Sequence, residues 1–105
     1  MGDFIQITTT TGKRKDADEI AAELISRRLA GCVQVSGPIV STFRWQGKVE
    51  PAEEWVCVIK TGRQHFAAIE NVMREIHPYD VPEIIVTEIA DGSAGYLKWL
   101  GEQLG

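Results

Sequence analysis

The sequence predicts an α+β fold, with two long helices packed on one face of a four-stranded antiparallel sheet. Four segments are rich in β-branched and apolar residues, as strands are. Two segments between them repeat apolar residues every three or four positions, as amphipathic helices do. The resulting order, β-α-β-β-α-β plus a short C-terminal helix, is the split βαβ pattern of ferredoxin-like domains. We expect residues 1–105 to form one such domain.

The first strand and helix follow from the N-terminal residues. The β-branched run at 4–9 predicts the strand, and a polar, basic loop at 10–15 follows it. Asp16, with Glu19 three positions later, predicts a capping box that begins the helix. Gly31 is expected to supply its C-terminal stop.

A long hairpin comes next. Residues 32–45 and 48–61 predict its strands, joined by a turn at Gln46-Gly47. Ser36-Gly37-Pro38 interrupts the first strand as a bulge would. Pro51 argues against regular central pairing in the second, because proline has no backbone N–H.

The last part of the chain predicts a helix, a strand and a short helix. Thr61 and Gln64 suggest a second capping box, and His77-Pro78 ends that helix, because the residue before a proline avoids helical backbone. The helix is expected to bury one stripe: Phe66, Ile69, Val72, Met73 and Ile76. Residues 82–89 predict a fourth strand, apolar enough to be central, and Ser93 predicts the last cap.

The second face of this sheet needs cover. Both faces of the hairpin and the last strand are rather apolar, and the terminal helix is too short to cover them, which predicts self-association. Trp45, at the hairpin tip, would be exposed in a monomer and would be an anchor at a subunit interface. A core cluster at the tip is the alternative.

Composition excludes several classes of function. Hydrophobic residues are 44% and charged residues 25%, which is ordinary for a globular protein and unlike a disordered one. The net charge of -4 is the opposite of what nucleic-acid binding favours. No segment is long and apolar enough for a membrane span, and no secretion signal is visible. With two cysteines, we expect a soluble, cytoplasmic protein with reduced thiols.

The segment His77-Pro78-Tyr79-Asp80-Val81-Pro82-Glu83 has the highest density of chemical groups. Its two prolines stiffen a loop that carries a histidine, a phenol and carboxylates. Two interpretations stay open. The segment is a pocket wall, with His77 as a metal ligand or proton carrier, or it is a stiff connector whose histidine caps the helix end.

Other candidate motifs are incomplete. Cys32 and Cys57 lie far apart, without the close spacing of a zinc knuckle, so we expect buried, inert thiols. His65 is expected to be solvated in the first turn of the second helix. The loop 10–13 lacks the glycine of a phosphate-binding Walker motif, although such a basic loop before a helix could hold an anion. No catalytic triad or nucleophile elbow is legible.

The sequence resembles the CutA family of divalent-cation tolerance proteins from about Phe4 to Leu100. The segments that carry the resemblance are Leu29-Ala30-Gly31-Cys32, Trp45-Gln46-Gly47-Lys48, Ile59-Lys60-Thr61, His77-Pro78-Tyr79, Val81-Pro82-Glu83-Ile84 and Tyr96-Leu97-Lys98-Trp99. The resemblance implies a ferredoxin-like protomer in a tight homotrimer, with clefts at the subunit interfaces. That architecture also resembles PII-type signalling proteins, which bind small effectors between subunits.

The resemblance further implies a response to metal ions, with copper or another divalent cation as the bound ion. In members with a proposed copper site, a cysteine ends the first strand and a His-His pair precedes the Pro-Tyr. Here those positions are occupied by Thr8-Thr9-Thr10 and Ile76-His77, so only His77 matches. One imidazole cannot make a selective copper site alone. Copies of His77 would have to converge in the trimer, or Glu54 and Glu83 would have to assist.

Three hypotheses for function follow. The first is a non-enzymatic, trimeric binding or regulatory module that holds a metal ion or a small anion in an interface cleft. Its expected lining is Trp45, Glu54, Lys60, His77, Tyr79 and Glu83. The second is a very stable trimeric scaffold that anchors other proteins without a ligand. The third is an enzyme that uses His77 as a general acid or base on an unidentified substrate.

Overall fold

The computed structural model describes residues 4–105 and confirms the predicted α+β order. The elements are β1 (Phe4–Thr11), α1 (Arg14–Ser26), β2 (Cys32–Trp45), β3 (Lys48–Gly62), α2 (Phe66–Ile76), β4 (Ile85–Glu88) and α3 (Ala94–Glu102). A single 3₁₀ turn, Arg63–His65, leads into α2. None of the helices in this part of the chain has the length and apolar character needed to cross a bilayer.

The strands form one antiparallel sheet in the order β2-β3-β1-β4. This is the order that the split βαβ pattern requires. The prediction that the fourth strand is central was wrong: in the described part of the chain, β4 pairs with β1 alone and covers only 85–88. The apolar residues of β4 therefore do not reflect a position between two other strands. Ile85, for example, is 55% exposed at the edge of the sheet.

The core lies between one face of the sheet and the two long helices. Side chains alternate along a strand, so the odd-numbered residues of β1, such as Ile5 and Ile7, point into this core. Helix α2 buries Ile69, Val72 and Met73 there, and Phe66 and Ile76 pack against its margin. The predicted stripe of α2 is therefore confirmed.

Neither predicted capping box forms. Helix α1 begins at Arg14, and the N–H of Asp16 donates to the carbonyl of Lys13, so Asp16 lies inside the first turn. Its carboxylate still lies near the positive N-terminal end of the helix dipole, where a negative charge is favourable. Thr61 is buried in β3, where its hydroxyl donates to the carbonyl of Leu29. The side chains of Asp16 and Thr61 can both cap a helix. Neither does so here, because α1 begins two residues before Asp16 and because Thr61 is buried in β3.

The end of α1 also differs from the prediction. The helix ends at Ser26, and Arg28 rather than Gly31 adopts the left-handed conformation, with φ 58°. The N–H of Leu29 donates to the carbonyl of Leu24, which is the long bond of a Schellman motif. Gly31 has a different role, because a Cβ there would lie 2.5 Å from Cδ1 of Leu100 in α3. The glycine allows α3 to pack this close to the start of β2.

The β2–β3 hairpin projects beyond the rest of the sheet. Strand β3 pairs with β1 only over 55–62, so residues 39–54, here called the hairpin arm, form a two-stranded ribbon. The predicted bulge is confirmed by a register shift between Ser36 and Ile39, and the turn at Gln46-Gly47 has positive φ at both residues. Pro51 lies opposite Thr42 in this ribbon, where β3 has one neighbour. As expected, Pro51 does not lie in a centrally paired part of β3, because β1 pairs with β3 only over 55–62.

Candidate functional site

A cleft of about 770 Å³ opens between the hairpin arm and the loop that follows α2. We call it the arm cleft. The arm contributes residues 41–43, Trp45, Glu50 and Glu54, the loop contributes residues 78–81 and Glu83, and β1 contributes Thr10. Its volume lies in the range of small-molecule sites.

The register of the arm explains why these side chains meet. Phe43 lies opposite Glu50, and Ser41 lies opposite Ala52. Cross-strand partners share a face, and side chains two residues apart share it too. Ser41, Phe43 and Trp45 therefore line the same side of the arm. The Gln46-Gly47 turn fixes this register.

His77 attaches the loop to the end of β1. Its Nε2 lies 3.0 Å from the carbonyl oxygen of Thr10 and 3.0 Å from Oγ1 of Thr9. The backbone N–H of Tyr79 donates to its Nδ1 at 3.1 Å. Because Nδ1 accepts, the proton of the neutral ring lies on Nε2 and is donated toward Thr10. Both ring nitrogens are thus engaged.

Burial explains the protonation state of this histidine. Desolvation lowers the pKa of His77 from 6.5, while the Thr10 carbonyl and the carboxylates of Asp16 and Glu54 act in the opposite direction. Desolvation is the largest of these causes, because a charged ring is costly away from water. The fold therefore favours the neutral ring that its hydrogen bonds require.

Tyr79 and Glu54 form the polar floor of the arm cleft. The Tyr79 hydroxyl donates to Oε2 of Glu54 at 2.8 Å, and Glu54 is only 7% exposed. Burial and then the Glu54 carboxylate raise the pKa of Tyr79 to about 12, so its phenol stays protonated at neutral pH. Gly12 leaves room for the hydroxyl, since a Cβ there would lie 3.2 Å from it.

The charge of the lining has one sign. Carboxylates come from Glu50, Glu54, Asp80 and Glu83, and no Lys, Arg or His side chain from the described range 4–105 lines the cleft. Within residues 4–105, none of these carboxylates forms an ion pair with a basic side chain. The cleft therefore carries a negative potential that favours cationic over anionic ligands.

The structure brings together four of the six residues expected at the cleft: Trp45, Glu54, Tyr79 and Glu83. His77 lies behind Tyr79, with ring centroids 5.1 Å apart, and does not line the cleft. Lys60 lies elsewhere, with Nζ 5.6 Å from the centroid of the Tyr96 ring.

Sequence reasoning missed several residues of the lining, among them Phe43, Glu50 and Asp80. Counting outward from the Gln46-Gly47 turn would have found the Phe43–Glu50 pair, because the turn sets the hairpin register. Asp80 lies inside the stiff loop that the sequence had already identified. Its position beside the arm is a tertiary contact without a local signal.

A metal ion does not fit at His77 within one chain. An ion bound at either nitrogen would displace one of the hydrogen bonds that hold the loop. In the described range 4–105, no three His, Cys, Asp or Glu side chains are grouped so that they could hold a metal ion. A site built on His77 would require other copies of the chain.

The remaining candidates have structural explanations. Cys57 is buried as expected, and burial raises its pKa to about 11, which disfavours the reactive thiolate. The expectation of a buried thiol was wrong for Cys32, which is only half-buried because it lies at the start of the outer strand β2. The expectation that His65 is solvated was wrong: its Nε2 is buried, and no partner for it lies within residues 4–105. His65 belongs to the 3₁₀ turn before α2 rather than to the first turn of the helix.

Comparison with known proteins points to one family. The family model for the CutA1 divalent ion tolerance protein matches residues 5–103. The divalent-cation tolerance protein CutA of Thermus thermophilus is 36% identical over 99 residues, which are 94% of this chain and 96% of that protein. A CutA homolog of Xenopus laevis is 41% identical over 82% of this chain, but the chain spans only 57% of its length.

Solved structures agree with this result. The crystal structure of CutA1 from Oryza sativa superposes with a TM-score of 0.96 at 32% sequence identity. The alignment covers 99% of this chain and 95% of the rice chain. The fold similarity therefore extends over the arm and the loop as well as the core.

Proposed function

Because the chain belongs to the CutA1 divalent ion tolerance protein family, we propose that it is a non-enzymatic binding or regulatory module in the response to metal ions. The observation that carries this proposal is the arm cleft, which combines a volume of about 770 Å³ with a buried, hydrogen-bonded carboxylate at Glu54. Apolar walls with a few convergent polar groups are what ligand sites have in common.

The protonation states support binding rather than catalysis. Tyr79 keeps its proton, with a pKa of about 12, and both nitrogens of His77 are engaged. Within residues 4–105, the hydroxyl within hydrogen-bond distance of His77 is that of Thr9, at 3.0 Å, and Thr9 is fully buried. A substrate therefore has no access to a hydroxyl activated by this histidine, which weakens the hypothesis of a His77-dependent enzyme.

The sheet supports assembly into a homotrimer. Among residues 4–105, its two outer strands, β2 and β4, each have a neighbouring strand on one side only. Away from the cleft lining, the arm exposes large apolar side chains, among them Val40 at 73% and Val49 at 57%. An isolated two-stranded ribbon is marginally stable in water, and a closed ring of copies leaves no open edge. We propose three copies, the number that the family resemblance implies, each a single domain in the cytoplasm.

The lining favours a cation as the ligand. A small anion would face the carboxylates of Glu50, Glu54, Asp80 and Glu83 without a basic side chain in the lining. Copper or another divalent cation matches the sign of the cleft and the name of the family. In the trimer, carboxylates from this cleft and groups from neighbouring copies would share its coordination.

One observation favours a scaffold as the second candidate function. Helix α3 exposes Tyr96 and Trp99, whose rings lie 5.5 Å apart, and Lys60 lies over the Tyr96 ring. Exposed aromatic residues beside a cation are typical of protein-binding surfaces. A trimer that displays this patch three times would anchor partner proteins without any ligand in the cleft.

Native mass spectrometry of untagged protein, purified without chelators, tests these proposals. We expect a trimer that carries an additional mass or takes up copper or another cation on incubation. A trimer that stays bare after incubation with copper and with organic cations would favour the scaffold. A monomer at micromolar concentration would contradict the proposed assembly.

A further inference from the structure

We infer that the arm cleft binds an organic cation, an ammonium or guanidinium group attached to a small apolar body. This inference rests on the proposed function of the cleft as a ligand site and names the chemical class of the ligand. It follows from three features of the cleft: an incompletely partnered buried carboxylate, an aromatic wall and a volume too large for a single ion.

The buried carboxylate is Glu54. Its Oε2 accepts the hydroxyl of Tyr79 at 2.8 Å. Within residues 4–105, Oε1 is not among the enclosed polar atoms without a partner, so this second oxygen remains accessible to water or to a ligand. Glu54 is 7% exposed, and a buried carboxylate is costly unless it is paired and hydrogen-bonded. A cationic N–H donor in the cleft would supply both the hydrogen bond and the opposite charge.

The aromatic wall distinguishes an organic cation from a metal ion. Phe43 and Trp45 from the arm and Tyr79 from the loop line the same cleft. Aromatic faces attract ammonium and guanidinium groups through their quadrupoles, most strongly when water is excluded. A hard metal ion prefers a shell of oxygen ligands instead. Residues 4–105 of one chain offer no group of three metal-binding side chains.

The dimensions agree with a molecule rather than an ion. A cleft of about 770 Å³ is within the usual range for ligands with several heavy atoms. Pro78 and Val81 add apolar surface beside the acidic groups, and Glu83 adds a second carboxylate at the loop side. A ligand with a cationic head near Glu54 and an apolar body against the arm satisfies each of these contacts.

Titration calorimetry on the assembled protein tests this inference. The probes are benzylammonium, phenylguanidinium and tetramethylammonium, with benzyl alcohol as the neutral match, benzoate as the anionic match, and Mg²⁺ and Cu²⁺ as metal ions. We expect at least one organic cation to bind, at least ten times more tightly than benzyl alcohol, with no binding of benzoate. Glu54→Gln should weaken the binding of that cation at least tenfold.

Matched variants keep the test independent of folding. Glu83→Gln removes a cleft carboxylate at an exposed position and should also weaken binding, whereas Glu19→Gln makes the same charge change on the exposed face of α1 and should not. Equal binding of benzyl alcohol, or unchanged affinity in both cleft variants, would overturn the inference. A neutral or anionic probe that binds in the cleft, or a metal ion alone, would overturn it but keep the proposed ligand site. If no probe and no metal ion binds, both fail.

Discussion

Removal of the Tyr79 hydroxyl is expected to loosen the floor of the arm cleft by a measurable amount. The hydroxyl donates to Oε2 of Glu54 at 2.8 Å, and hydrogen bonds to charged groups contribute about 1.5–3 kcal/mol. Tyr79 is 36% exposed, so water in the cleft replaces part of this bond in the variant. We therefore expect Tyr79→Phe to lower the free energy of unfolding by about 1–2 kcal/mol.

The assay is chemical denaturation at one fixed protein concentration, because assembly makes the apparent stability depend on concentration. Tyr96→Phe is the matched control, since the Tyr96 ring is similarly exposed and its hydroxyl has no hydrogen bond within residues 4–105. A double-mutant cycle with Glu54→Gln should show a coupling of about 1 kcal/mol. If Tyr79→Phe is as stable as Tyr96→Phe and the cycle shows no coupling, the Tyr79–Glu54 bond does not hold the loop.

Three further predictions concern His77, Gly31 and Cys57. Because the fold lowers the pKa of His77 below 6.5, the unfolded chain binds the proton more readily than the folded chain. The free energy of unfolding should therefore fall as the pH decreases from about 6.5, and it should fall less in His77→Gln. Equal pH profiles of the two proteins in urea melts would contradict this. Gly31→Ala should lower the free energy of unfolding by about 1–3 kcal/mol, because the new Cβ would lie 2.5 Å from Cδ1 of Leu100. Gly95→Ala is the control and should not destabilise the protein, since the space around Gly95 is open. Calorimetric melting compares the two variants. Cys57, with a pKa of about 11, should react with a disulfide reagent at pH 8 only after unfolding. The test uses Cys32→Ser, because Cys32 is a half-buried free thiol, and rapid labelling of this native variant would contradict the burial of Cys57.

Most of the fold was predictable because hydrophobic periodicity reflects burial directly. The apolar stripe of α2 and the alternation in β1 identify the two layers of the core, and the structure confirms both. The motif-based resemblance to the CutA family is likewise confirmed by the family match over residues 5–103. These signals are repeated along many residues, so one misleading position does not change the outcome.

The errors concern signals that depend on one or two residues. Asp16 has the chemistry of a cap, but α1 begins at Arg14, where the strand end and the backbone carbonyl of Lys13 start the helix without a side-chain cap. Arg28 ends the helix region in the left-handed conformation although it is not glycine, since its guanidinium donates to the carbonyls of Glu102 and Gln103. That contact joins distant parts of the chain and leaves no local pattern.

The lining of the cleft was predictable only where it follows from local hairpin geometry. Trp45 and Glu54 were identified because they lie on the hairpin, and its register follows from the turn. Lys60 shares a strand face with Glu54, but six residues of strand separate them, which is about 20 Å at roughly 3.3 Å per residue. The inward position of Asp80 depends on how the loop after α2 crosses the arm, which only the tertiary structure specifies.

If a cationic ligand occupies the arm cleft of the assembled protein, the indole N–H signals of the three tryptophans will report its position directly. Trp45 lines the cleft, Trp55 packs against the core, and Trp99 lies on the exposed face of α3. In a nuclear magnetic resonance titration with benzylammonium, we expect only the Trp45 signal to shift and Glu54→Gln to suppress the shift. Movement of the Trp99 signal alone, or of none of the three, would contradict it.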